Sequence, residues 1–211
     1  MNRTPHPRDY PDWIKRFSEV VAPVPVKPCG GCTACCHLTG VAEIGLKPFT
    51  RCQHERGFPW VPGCGIYADR PSSCRTWSCQ YALEGWDDEL RPDRCGVVVD
   101  PQPDLVRLVE DKTGRKYEVA AVQMWALAGH EEAFLEQPVL AVVLAAIEQV
   151  GHVVWRYRRE DGVAVAVGLG RTAQGELYRS PPAPVHAGFT AEMSQGQRTL
   201  KAKSLLKGKR R

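Results

Sequence analysis

The sequence has no apolar run long enough to cross a bilayer. Val139 to Ile147 is its clearest apolar stretch, far short of the ~20 residues a spanning helix needs. Nor does it open with a secretory leader. Residues 1 to 12 are polar and proline-rich, without an apolar core segment. Together these absences predict a cytoplasmic protein without a membrane partner. The usual catalytic fingerprints are missing too. Gly168-x-Gly170 lacks the third glycine and following helix of a dinucleotide site. His130-Glu131-Glu132 has no second histidine at zinc-protease spacing. Cys32-x-x-Cys35 is followed by Cys36 rather than histidine, which excludes a c-type haem attachment.

Acidic residues are missing from one place in particular. Residues 198 to 211 carry Arg198, Lys201, Lys203, Lys207, Lys209, Arg210 and Arg211, with no acid. Against an overall formal charge of +4, this leaves residues 1 to 197 mildly acidic. The basic character therefore belongs to a tail, read here as lacking stable structure. Through it, nucleic acid or an acidic partner is a candidate, by phosphate contacts that weaken with salt.

Cysteine is what the sequence has in abundance. Eight of nine fall between Cys29 and Cys79: Cys29, Cys32, Cys35, Cys36, Cys52, Cys64, Cys74 and Cys79. In a reducing compartment such density suggests metal coordination before disulfides. An odd total also fits a purely disulfide framework poorly. Cys32, Cys35 and Cys36 stand at helical spacing, so one turn presents their thiols to neighbouring parts of a surface. Cys95 reads as a buried free thiol, and His37 and His54 as polar neighbours of the cluster.

The pattern Cys-x-x-Cys-x-x-Cys-Cys, a lone Cys, then Gly-Cys-x-Ile-Tyr-x-x-Arg-Pro-x-x-Cys-Arg-x-Trp-x-Cys resembles the CxxCxxCC cysteine-cluster family. That family comprises bacterial proteins regarded as zinc- or iron-chelating. The similarity covers residues 29 to 81. It implies that the eight cysteines named above are metal ligands and that Arg70-Pro71 matches the family's Arg-Pro pair. It implies no settled reaction, although a flagellin lysine N-methylase carries a related cluster.

Eight thiolates suffice for about two tetrahedral all-cysteine zinc sites, the preferred expectation. Iron, or an iron–sulfur cluster, is the alternative. Arg70 and Arg75 are expected to donate toward sulfur. The expected function is a metal-binding protein with a structural, binding or metal-handling role. Its rivals are an iron–sulfur enzyme for redox or methyl transfer, and a nucleic-acid binder acting through the tail. Trp60, Tyr67, Trp77, Tyr81 and Trp86 read first as the core of the module and second as a base-stacking platform. Beyond the ligand cysteines no catalytic motif stands out.

Four segments are expected: an N-terminal arm with a short helix (1–28), a cysteine-cluster metal module (29–95), a small α+β region (96–178) and the basic tail (179–211). Pro71 and Gly85 bracket one helix. Residues 95–100 and 105–110 read as a hairpin, and 116–122 as a third strand. Pro138 and Gly151 bracket a helix over 138–150. Asp161-Gly162 turns a second hairpin between 152–158 and 163–167. The expected fold is α+β: a loop-rich cysteine module packed on a small antiparallel sheet with one or two helices.

Overall fold

A computed structural model describes residues 25–56, 63–100, 104–109, 116–172, 174–184, 192–194 and 198–199. The N-terminal helix expected before Pro23, Trp60 and nearly all of the basic tail lie outside these residues.

The cysteine-rich half consists of short pieces. Helix α1 is Cys35–Leu38, and strands β1 (Glu55–Arg56) and β2 (Gly63–Cys64) pair antiparallel. Helices α2 (Ser72–Thr76), α3 (Gln80–Glu84) and α4 (Pro92–Cys95) follow. The single helix expected between Pro71 and Gly85 is therefore two, parted by an extended Trp77. Gly85 does end the second, in the left-handed region that glycine enters without a Cβ penalty. Gly96 caps α4 with φ +74°, and a Cβ there would collide with the His130 ring.

The second half is a large mixed sheet. Its strands are β3 (Val97–Val99), β4 (Asp104–Val109), β5 (Lys116–Ala126), β6 (His152–Arg158), β7 (Ala164–Arg171), β8 (Leu177–Arg179), β9 (Ala183–Pro184), β10 (Glu192–Ser194) and β11 (Arg198–Thr199). The path runs β10-β4-β5-β6-β7-β8-β11, with β3 also on β5 and β9 also on β7. This corrects the small antiparallel sheet expected from sequence. Strands β5 and β6 are parallel, with Val122 opposite Val153 and Trp125 opposite Arg156. Helix α5 (Val139–Val150) connects them. A strand–helix–strand order calls for such a crossover, because parallel neighbours cannot be joined by a tight turn.

The expected hairpin of β3 with β4 is corrected as well. Both pair with β5, Val99 opposite Met124 and Asp104 opposite Ala121. The sequence between the two strands holds Pro101 and Pro103, which have no N–H to donate to a ladder. The β6–β7 hairpin forms around Asp161-Gly162 as its turn residues imply. The tail read as lacking structure contributes two strand pairings: β10 runs parallel to β4, and β11 antiparallel to β8.

The sheet is buried on both faces. On one, Val122, Met124, Val153, Trp155, Val165 and Val167 pack against α5, whose Val139, Val143, Ala146 and Ile147 recur at helical spacing. Trp155 is fully buried, stands edge-on to Phe134 at 5.1 Å and donates its indole N–H to the Glu131 carbonyl at 2.8 Å. The opposite face carries Val98 and Trp125, and the cysteine-rich half covers it with Ala34, Leu38, Cys79, Tyr81 and Ala82. Strand alternation thus sends Met124 to the helix side and Gln123 and Trp125 to the cysteine side.

No helix among the described residues is long and apolar enough to cross a membrane.

Candidate functional site

Backbone hydrogen bonds stitch the cysteine segments together. The Cys32 N–H donates to the Cys29 carbonyl at 3.1 Å, and the Cys36 N–H to Thr33 at 2.8 Å. The Cys52 N–H reaches back to the Cys36 carbonyl at 2.8 Å, and pairing of β1 with β2 sets Cys64 opposite Glu55. Glu55 fixes this corner. Its carboxylate accepts from Thr33 Oγ1 at 2.7 Å, His37 Nε2 at 3.0 Å and Arg51 Nε at 2.8 Å. Burial pushes the Glu55 carboxyl up, and those three donors outweigh it and hold it low. Glu43 does similar work for α2. It accepts from the Ser73 N–H and from the Ser72 and Ser73 hydroxyls, and its pKa falls to about 2.

The thiols find partners locally. Cys35 donates to Cys36, which raises the first and lowers the second. Burial pushes Cys32 up to about 12 and Cys79 to about 11. Cys32 also hydrogen-bonds the Asp93 carboxylate, and the Cys52 sulfur accepts the His54 N–H at 3.4 Å. Cys95 is half-buried, with its sulfur 3.5 Å from the Leu90 and Val97 carbonyls. All nine cysteines are free thiols.

This arrangement overturns the metal expectation. Among the described residues no group of three or more His, Cys, Asp or Glu side chains is placed to hold a metal ion. The donor set therefore does not fit zinc, iron or an iron–sulfur cluster, and the metal-ion partner and metal-dependent functions are withdrawn with it. The nearest candidate ligands are already spent on one another, on Asp93 and on backbone groups. Arg70 turns its Nε to the Tyr67 carbonyl at 3.0 Å and stacks on the Tyr67 ring at 3.8 Å.

The nucleic-acid expectation is withdrawn too, because nothing among the described residues supports it and nearly all of residues 198–211, on which it rested, lie outside them. Trp155 is fully buried and Tyr157 nearly so, both in the core facing α5, and Arg156 between them is fully buried. Trp77 and Trp86 pack against the core facing the cysteine half, and Tyr81 is buried within it. Of the expected stacking platform only Tyr67 is an exposed aromatic among the described residues.

The two halves enclose a cleft of about 820 Å³. Cys29, Cys32, Cys35, Cys74 and Cys79 line it, whereas Cys36, Cys52 and Cys64 do not. Sequence reasoning missed the opposing wall, which the sheet supplies through Val98, Asp100, Gln123 and Trp125. Gln123 and Trp125 are only 7% and 6% exposed, yet Gln123 Oε1 and Trp125 Nε1 have no hydrogen-bond partner among the described residues. Trp125 is held by Phe49, ring centroids 5.4 Å apart, and by the Arg156 guanidinium 5.0 Å from its ring centre. One signal was available: Gln123 is the lone polar residue in the run Ala120 to Ala126.

No family model matches the chain, and no similar curated protein or solved structure was found. The resemblance to the CxxCxxCC family is accordingly withdrawn.

Proposed function

We propose that the protein binds a small organic molecule in the cleft between its cysteine-rich half and its sheet. One observation carries this reading: two buried polar atoms without partners among the described residues, Gln123 Oε1 and Trp125 Nε1, belong to alternate residues of β5 on the cleft wall. An unpaired buried donor or acceptor costs about 1–3 kcal/mol. A chain that tolerates two on one wall of a cleft, in the size range of ligand pockets, recovers that cost when a ligand pairs them. The Trp125 N–H needs an acceptor and the Gln123 carbonyl needs a donor. A carboxamide or lactam supplies both on one edge, and its ring or chain suits the apolar walls of Val41, Pro48 and Trp77.

The cysteines then serve as the soft, uncharged wall of a binding site. Nine free thiols suit a reducing, cytoplasmic setting.

Benzamide is the probe. Saturation-transfer NMR with the full chain is expected to show millimolar binding that Gln123→Leu abolishes. Absence of transfer, or equal transfer in the variant, would refute the assignment.

A further inference from the structure

The cleft carries four charged side chains: Lys27, Arg70, Arg75 and Asp100. Two of them are occupied. Lys27 Nζ sits 2.6 Å from Asp88 Oδ1 and 3.0 Å from the Trp86 carbonyl. Asp100 accepts the Trp77 indole N–H at 3.4 Å. The arginines are different. Arg70 donates only its Nε to the Tyr67 carbonyl, and its plane is fixed over the exposed Tyr67 ring. The Arg75 guanidinium, in the last turn of α2, has neither an ion pair nor a hydrogen bond among the described residues. With Lys27 paired to Asp88, two guanidinium charges stand against the single Asp100 carboxylate, so the cleft is net positive. The positive charge sits on guanidinium groups, whose planar fork matches a carboxylate in two parallel hydrogen bonds.

Their placement also has a structural cause. Arg70 and Arg75 stand on either side of the start of α2, and Glu43 fixes that start through the Ser73 N–H and the hydroxyls of Ser72 and Ser73. The two arginines are thus anchored to one short, pinned segment on the cysteine side of the cleft. The unpartnered amide carbonyl and indole N–H belong to the sheet side. A ligand bridging the two sides meets a neutral donor–acceptor edge at one end and cationic forks at the other.

We propose that the ligand is a small anionic carboxamide, its amide against Gln123 and Trp125 and its carboxylate against Arg70 and Arg75. This rests on the cleft reading above and adds the charge and the polarity of the bound molecule. The Trp125 indole N–H donates to the amide carbonyl, the amide N–H donates to Gln123 Oε1, and the guanidinium N–H groups donate to the carboxylate.

Two probes that differ only in charge test it, benzamide and 3-carbamoylbenzoate, titrated into the full chain by ligand-observed NMR. The carboxylate is expected to tighten binding about tenfold, the effect of one charge-assisted pair. That gain is expected to shrink as salt rises. Arg75→Gln is expected to erase most of it and leave benzamide affinity unchanged. Equal affinity for the two probes would overturn the anionic assignment while leaving the neutral amide reading intact. Binding of neither would overturn both. A gain that survives both Arg75→Gln and Arg70→Gln would place the anion elsewhere and also overturn it.

Discussion

Replacing Gln123 with leucine should make the protein more stable while it abolishes binding. Gln123 is 7% exposed, and its Oε1 has no partner among the described residues. Folding strips water from that carbonyl and returns nothing. The general cost of such a group is about 1–3 kcal/mol, and an apolar replacement of similar shape avoids it. Leucine is slightly smaller and branches one atom earlier, so repacking against Val98 and Trp125 takes back part of the gain. The net expectation is a stabilisation of about 1 kcal/mol, or about 2–4 °C in Tm for a chain of this size. Urea unfolding followed by tryptophan fluorescence, with a parallel calorimetric scan, measures it. A loss of about 1 kcal/mol or more in Gln123→Leu would refute the reasoning. It would mean that the folded chain already satisfies the carbonyl, and the main argument for a ligand would go with it.

Further outcomes follow from the corners that position the cleft. Glu55→Ala leaves Thr33 and His37 without their acceptor beside Cys35 and Cys36. Arg51 is largely exposed and adds little, so the expected loss is about 2 kcal/mol by urea unfolding. Glu43 is held at about 2 against an ordinary 4.5. Its contribution is therefore complete above about pH 4.5 and fades as pH falls toward 2. The stability difference between wild type and Glu43→Gln should be largest near pH 6 and should close by pH 2. Alkylation by iodoacetamide at neutral pH, mapped by peptide mass, should reach Cys36 first and Cys32, Cys35 and Cys79 last, because only thiolates react. Trp155→Ala empties the centre of the helix-side core and should cost about 3–5 kcal/mol in the same unfolding assay.

Local signals in the sequence were reliable where a residue has one conformational use. Pro138 and Gly151 bracket α5, Asp161-Gly162 turns β6 into β7, and Gly85 ends α3. Pairing partners were harder, because a strand's own residues do not name its neighbour. Residues 97–109 resemble a hairpin until β5 is seen to be long enough to receive both pieces. The parallel β5–β6 pair was readable in principle from the strand–helix–strand order, yet the apolar alternation of each strand fits either direction. For the site, cysteine spacing suggested a metal cluster, whereas five of those eight cysteines line one wall of the cleft and spacing cannot say where a thiol points. Cys35 and Cys36 turn to each other, and Cys32 turns to Asp93. The other wall was hidden because Gln123 and Trp125 lie far along the chain and become neighbours of Cys32 and Cys79 only through the packing of Val98 and Trp125 on Ala34 and Leu38.

The central claim is that a ligand pairs the Trp125 indole N–H. The most direct measurement is the indole N–H region of a proton–nitrogen correlation spectrum of the full chain during titration with 3-carbamoylbenzoate. Trp125→Phe assigns the resonance. The account predicts that this one indole signal moves downfield and saturates, whereas that of Trp155, bonded to the Glu131 carbonyl on the far side of the sheet, stays in place. A Trp125 signal that does not move while the ligand is shown to bind would put the ligand elsewhere and contradict the account.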